Sequence, residues 1–476
     1  MERASGVLMH ISSLYGDYST GAFGNEAKEF IDFLADCGFK YWQVLPFTVV
    51  DECNSPYKSY SAFAGNPYFV DLNILANKGL ITTQELEEHK QNTPYSCEYE
   101  YLYNTRFKLL KTAAMRVKDK SEIEQFICAN KNIADFCKFM ALKAANDDLC
   151  WTQWKTEEID AEVLFAWQFI QYEFFSQWKE IKTYANEKNV KIIGDIPIFV
   201  AYDSSDVWAN SKQFQLDEKN MPKCVAGVPP DYFSEDGQLW GNPLYDWDYM
   251  KKDGYKWWTE RMNLMLELFD GVRIDHFRGL EAYYSIPYGS INAKNGQWVK
   301  GPGKDFVDVL KALAGDKLII AEDLGEITNE VVELVNYSTF PGMRVLQFGF
   351  LGDGDAIHKP HHYINNSVAY TGTHDNNTLL GYVWELDEGK RQELLEYCGY
   401  SDLDWDKCYD SIIRTLYASN AGLVIFPIQD LLGYGSDTRL NTPGKAEGNW
   451  LYRITKEQLM SIDRNKYRKW NRIYNR

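Results

Sequence analysis

Apolar positions along the chain follow two periods. Short runs in which β-branched or aromatic residues recur at every second position read as buried strands, and longer runs spaced by three and four read as amphipathic helices. The first pattern predicts eight strands, at 6–10, 41–46, 190–197, 272–275, 318–322, 344–350, 368–371 and 423–427. The second predicts helices at 25–37, through much of 80–188, and at 254–269. Val163, Trp167, Ile170, Phe174 and Trp178 follow one another at helical steps, an aromatic stripe that belongs to a core. Trp258, Met262, Met265 and Phe269 line one face of the later helix. Thr82 with Glu85, and Ser121 with Glu124, carry the spacing of a capping box.

Strands alternating with helices predict an α/β fold, and eight right-handed βα units favour a closed (β/α)8 TIM barrel over an open doubly wound sheet. One barrel then spans 1–476, with two inserted subdomains. The stretch of about 80–150 supplies several helices with no strand between them, so it reads as a helical insertion. The stretch of about 202–249 is long, irregular and rich in aromatics, which marks it as a functional loop region.

The candidate chemistry gathers at the strand ends. In GVRIDHFRG, 271–279, the period of two places Arg273 and Asp275 on one face, with Asp275 at the carboxyl end of its strand. An Arg there would hold the carboxylate ionised and oriented as a nucleophile. A structural Arg/Asp pair is the other reading, and this stretch alone favours it. Glu322 and Asp375 also fall at or just beyond strand ends, as does Asp195, and in a barrel such ends converge on one mouth. Taken singly each acid reads as a helix cap; as a set, beside loops rich in Tyr and Trp, they read as the carboxylates that flank a glycosidic bond. A Gly-rich phosphate cradle is absent, and so is a GxSxG elbow. His358, His361 and His362 are split by Pro360 and read as a polar loop, not a metal site.

Composition narrows the partners. A net charge of -18 and a pI near 5.0 argue against nucleic acid and anionic membranes. Nine cysteines in no CxxC spacing predict reduced thiols and a cytoplasmic protein, and no stretch has the length of a membrane helix. Thirty-two Tyr and 15 Trp exceed what a core needs and suit a ligand with flat apolar faces and a polar rim, such as a sugar, though a protein interface would use them too.

Several strings then carry a resemblance: RID with HFRG at 273–279, AEDLG at 321–325, TGTHDN at 371–376, SAFAGNP at 61–67, GDIPIFVA at 194–201 and WGNPLY at 240–245. In this order they resemble the 4-α-glucanotransferases, the amylomaltase or disproportionating enzymes of glycoside hydrolase family 77 in the α-amylase clan. The likeness runs from about Gly6 to the RLNTPG and GNW strings at 439–450. It implies a retaining double displacement that moves α-1,4-glucan segments between maltooligosaccharide or glucan donors and acceptors, without metal or cofactor. Asp275 matches the nucleophile, Glu322 the general acid/base and Asp375 the third carboxylate. Arg273 and His374 match partners of these acids, and Tyr57, Asp195, Tyr232, Trp240 and Asn242 fall in sugar-binding segments. The strand period turns Asp323 away from the lumen, in keeping with Glu322 as the acid/base.

Two stretches depart from the pattern. Tyr15 stands in Ser13-Leu14-Tyr15-Gly16 where members commonly carry Pro, and TVVDECN at 48–54 replaces a Gly-rich loop. No long N-terminal extension adds a starch-binding domain, so action on granular starch is not expected. An α-1,4-glucan hydrolase with the same acids, and a non-catalytic glucan-binding protein, are the competing readings.

Overall fold

The computed structural model describes residues 1–50, 53–230, 235–351, 356–401 and 405–476. The predicted strands form, several of them shorter than the apolar runs that announce them. β1 (Ala4–Leu8), β2 (Tyr41–Gln43) and β3 (Lys191–Ile196) precede β4 (Cys224–Val228) and β5 (Gln238–Pro243). β6 (Gly271–Ile274), β7 (Ala282–Pro287), β8 (Gln297–Lys300) and β9 (Leu318–Ala321) follow. β10 (Gly342–Val345), β11 (Ser367–Tyr370) and β12 (Leu423–Pro427) complete the set. Eight of them close a parallel barrel in the order β1-β12-β11-β10-β9-β6-β3-β2, with β2 paired back to β1. Neighbours in the barrel are therefore neighbours in the sequence of barrel strands, as successive parallel crossovers require, even where a crossover carries an insertion, as between β2 and β3.

Helix Asn25–Cys37 has the predicted bounds and ends on Gly38 at φ 81°, a backbone conformation that glycine enters without steric penalty. On helix Ala161–Glu187 the stripe is buried at Trp167, Ile170, Phe174 and Trp178. Trp178 packs against Phe23, Phe47 and Phe269, so this helix is cemented to the barrel wall by aromatic edges. The Thr82/Glu85 capping box is present. The Ser121/Glu124 box is not: Ser121 is already the first helical residue, and its backbone N–H donates to Asp119 Oδ1 instead. Between β2 and β3 helices Thr83–Glu88, Tyr99–Met115, Ser121–Ala129 and Lys131–Ala145 follow one another without a strand.

The stretch 202–249 is not the irregular loop that its composition suggests. It contributes β4 and β5, which join β7 and β8 in a second, antiparallel sheet of order β5-β4-β7-β8. Two barrel loops, one after β3 and one after β6, thus build one small sheet. Val225, Tyr284, Ile286 and Ala293 give it a separate apolar cluster. The run at 344–350 is also corrected, because β10 stops at Val345 and the chain continues as the 3-10 turn Leu346–Phe350. The histidines expected on a polar loop lie in two short 3-10 turns. His358 is buried there, and its Nδ1 accepts a hydrogen bond from the Val345 N–H at 3.0 Å.

Candidate active site

The site grows from β6. Arg273 points its guanidinium to two acids at once, with Nη1 donating to Asp195 Oδ2 at 2.6 Å and Nη2 to Asp275 Oδ1 at 2.7 Å. β3 and β6 pair in register with Asp195 opposite Arg273, which is why the ion pair closes across the sheet. Tyr57 Oη donates to the same Asp195 Oδ2 at 2.8 Å. Asp195 is fully buried, with a side chain 0% exposed, and burial raises its pKa against the pull of Arg273. For Arg273 burial acts the other way, but Asp195 and Asp275 outweigh it and hold the guanidinium firmly charged.

Glu322 follows β9, the other neighbour of β6. The register pairs Ile274 with Ala321, so Asp275 and Glu322 emerge from adjacent strands one residue further on. Glu322 Oε2 accepts the His276 N–H at 2.6 Å and Oε1 the Leu324 N–H at 2.8 Å. Those donors favour the ionised form. Burial first, and the charge of Asp275 second, outweigh them and push the Glu322 pKa to about 8. Asp323 turns away, as the period of two demands, and binds the Met343 N–H and Arg344.

Asp375 comes from the loop after β11. Its Oδ1 accepts from Asn441 Nδ2 at 2.6 Å, and its Oδ2 lies 3.3 Å from His374 Nε2. Burial raises its pKa, but His374, Asn441 and Arg273 together outweigh that and hold the carboxyl well below the usual range. The side chain remains 44% exposed, so this carboxylate faces the opening. Tyr57 stacks on His374 with ring centres 5.1 Å apart and planes 15° from parallel, and Trp450 flanks both rings.

A cleft of about 410 Å³ opens over these groups, lined by Tyr57, Trp240, Asn242, Asp275, His374 and Asp375 among others. Six of the ten expected site residues therefore share one wall. Asp195 and Arg273 lie beneath it, and Glu322 is buried behind the Asp275–His276 turn without lining the cleft. Tyr232 lies outside the described residues. Trp240 packs edge-on against His276, and Asn242 Nδ2 donates to Val200 O at 2.8 Å. Asn441, Arg439 and Trp450 were not singled out from the sequence. Asn441 and Arg439 hold the Asp375 side chain and its carbonyl oxygen respectively. Their signal was the RLNTPG and GNW strings, whose partners only the fold reveals. Among the described residues no group of three or more His, Cys, Asp or Glu is arranged to hold a metal.

Acids from separate strand ends, set with stacked aromatics around one barrel mouth, define a carbohydrate-active (β/α)8 protein. Comparison with known proteins gives the family. The 4-alpha-glucanotransferase model of glycoside hydrolase family 77 matches residues 9–459. A 4-alpha-glucanotransferase of Clostridium butyricum is 44% identical over 487 residues, covering 98% of this chain and 100% of that protein. The amylomaltase of Streptococcus agalactiae, solved with acarbose, superposes with a TM-score of 0.95 at 36% identity over 100% of both chains. The amylomaltase of Corynebacterium glutamicum, at 17% identity, shares the fold with a TM-score of 0.80 over 99% of this chain and 75% of that one. The chain belongs to the 4-alpha-glucanotransferase family, and with it to the amylomaltases.

Proposed function

We propose that this 4-alpha-glucanotransferase works by a retaining double displacement in which Asp275 is the nucleophile, Glu322 the acid/base and Asp375 the stabilising carboxylate. The observation that carries the reading is the unlike surroundings of two neighbouring acids. Asp275 is paired to Arg273, whereas Glu322 is pushed up to about 8 and so holds its proton at neutral pH. One is equipped to attack and the other to donate. Adjacent parallel strands run ~4.8 Å apart, which suits the close carboxylates of a retaining pair better than the wide gap of an inverting one.

In the first step Glu322 gives its proton to the glycosidic oxygen while Asp275 Oδ attacks the anomeric carbon. To do so Glu322 leaves its two backbone N–H partners and turns toward the cleft. The glycosidic bond breaks, the shortened glucan departs with the proton, and the donor fragment is esterified to Asp275. Asp375, held ionised, faces the sugar and supplies negative charge to the oxocarbenium-like state. In the second step ionised Glu322 removes the proton of an acceptor 4-hydroxyl, which displaces Asp275 and remakes the α-1,4 bond. Transfer to sugar instead of water follows if acceptor contacts hold the hydroxyl in near-attack geometry.

All nine cysteines are free thiols, which supports a reducing, cytoplasmic setting. Among the described residues no helix is long and apolar enough to cross a membrane. Incubation with pure maltotriose tests the reading: glucose should appear together with longer maltooligosaccharides. A product mixture of glucose and maltose alone would mark a hydrolase instead.

A further inference from the structure

The small antiparallel sheet touches the turn after β6 at two points. β5 and β8 are its two edges, and each sends a tryptophan to that turn. Trp240, on β5, meets His276 edge-on with ring centres 5.0 Å apart. Trp298, on β8, presents its ring face to Arg278, whose guanidinium carbon stands 3.6 Å from the ring centre. Trp298 is in turn set edge-on against Tyr284 of the sheet's own apolar cluster, with ring centres 5.2 Å apart. Two residues only two positions apart are thus held from opposite edges of one sheet.

Arg278 has no part in the catalytic scheme. It is 3% exposed, and its Nε has no hydrogen-bond partner among the described residues. A buried guanidinium left partly unpaired costs stability, so folding alone does not account for an Arg at this place. What it does hold is Glu326: Nη1 donates to the Glu326 carbonyl at 2.6 Å, across 48 positions of sequence. Glu326 lies four residues beyond Glu322, in the loop between β9 and helix Asn329–Ser338.

That loop is anchored on either side of a pivot. The Glu322 N–H donates to Ile274 O and the Glu322 carbonyl accepts the Phe277 N–H, both at 3.1 Å, and the Asp323 carboxylate is tied to β10 through the Met343 N–H. Arg278 is the anchor on the far side. Between the two stand Leu324, whose N–H binds Glu322 Oε1, and Gly325 at φ 90°, a backbone conformation that glycine enters freely. The Glu322 carboxyl has to leave the Leu324 and His276 N–H groups to protonate a glycosidic oxygen, and it finds them again only if the backbone that carries them has stayed where it was. We infer that Arg278, braced on Trp298, is a positioning residue that clamps the Glu326 end of this loop, so that the Glu322 carboxyl swings between its backbone partners and the cleft without carrying the loop along. The inference rests on the acid/base role given to Glu322 above. It gives Trp298, which does not line the active-site cleft, a part in proton delivery.

Two donors separate proton delivery from everything else the turn does. Maltotriose needs its leaving group protonated in the first step, whereas α-glucosyl fluoride does not. Arg278→Met, which keeps the length of the side chain and loses the donor, should lower kcat for maltotriose disproportionation by about 100-fold, the effect of a ~1 Å misplacement, while first-turnover release of fluoride keeps the wild-type rate. Trp298→Leu should lower the maltotriose kcat by about tenfold, the size of one cation–π contact, and Trp298→Phe, which keeps a ring face, should recover most of that loss. The Trp298 variants leave the buried guanidinium in place, so the comparison stands whether or not Arg278→Met folds. Equal losses with both donors would show support of Asp275 or of the fold and not of Glu322; that result, unchanged maltotriose turnover by Arg278→Met, or no difference between Trp298→Leu and Trp298→Phe would each overturn the assignment. Undiminished maltotriose turnover by Glu322→Gln would defeat the acid/base reading itself, a result distinct from any of these.

Discussion

Arg273 and Asp195 form a buried ion pair with side chains 5% and 0% exposed, and the other arm of the same guanidinium holds Asp275. A planar fork can bridge two acids on neighbouring strands; an ammonium cannot serve both with the same geometry. Arg273→Lys should lower kcat for maltotriose disproportionation by at least about 100-fold, since misplacement of a reacting group by ~1 Å has that effect. Stability should fall by about 3 kcal/mol because one buried acid is left without its partner. Steady-state kinetics and urea unfolding check the two effects, and a fully active, fully stable Lys variant would contradict the role given to the fork.

Glu322→Gln should reduce kcat by about 10²- to 10⁴-fold, the range of general acid catalysis. An α-glucosyl fluoride donor needs no protonation to leave, so the variant should still form the covalent intermediate and then stall. Mass spectrometry of the intact protein would reveal the added sugar on Asp275. Loss of labelling with the fluoride would argue that the variant fails for another reason.

The pH profile follows from the same carboxyl. Glu322 must be protonated for the first step, and its pKa is raised to about 8 by burial and by Asp275. Activity should therefore persist through neutral pH, and kcat/KM should decline above about pH 8 by roughly tenfold per unit. Asp375, held low by His374 and Asn441 against its burial, stays ionised throughout this range. A limb that begins near pH 5 would show Glu322 to be an ordinary carboxylate.

Asp430 offers a test that concerns stability. It is buried, with Thr371 Oγ1 donating to Oδ2 at 2.5 Å and the Leu379 N–H to Oδ1 at 2.7 Å. These two residues bracket the loop that carries His374 and Asp375. Burial raises the Asp430 pKa to about 7, so between pH 4 and 7 the unfolded chain releases a proton that the folded one keeps. Its contribution is most favourable at low pH and is lost as pH rises through that window. Asp430→Asn keeps an acceptor for Leu379 and places a donor against the Thr371 hydroxyl. The Asn variant should match the wild type near pH 4 and gain relative stability toward pH 8, as read by thermal unfolding across the pH series.

Gly65, in the SAFAGNP string, is bracketed by Gln171, whose Oε1 accepts its N–H at 2.7 Å and whose Nε2 donates to its carbonyl at 2.9 Å. A Cβ there would stand 2.2 Å from the Phe174 ring. Gly65→Ala should destabilise the protein by about 1–3 kcal/mol through overpacking, a change that calorimetry would register as a lowered Tm.

The string Val272-Arg273-Ile274-Asp275 was legible because side-chain alternation is a property of the strand itself: it sets Arg273 and Asp275 on one face wherever the strand lies. The Thr82 cap was legible for a similar reason, its partners being three residues apart. Ser121 carried the same spacing and lost to Asp119, which competes for the same N–H. Asn441 was invisible as a site residue because its contact with Asp375 spans 66 positions, and no local period encodes such a pairing.

What the sequence determined by itself was the succession of eight barrel strands, the carboxyl-end location of Asp275, Glu322 and Asp375, and the family strings around them. Each rests on periodicity or on contiguous residues. The tertiary structure alone decided that β4 and β5 pair with β7 and β8, that Arg273 divides itself between Asp195 and Asp275, and that Trp240 and Trp298 reach the turn after β6 from opposite edges of the small sheet. Those outcomes depend on which distant segments the closed barrel brings within hydrogen-bonding reach, and a local pattern fixes the face a side chain occupies but not the neighbour it finds there.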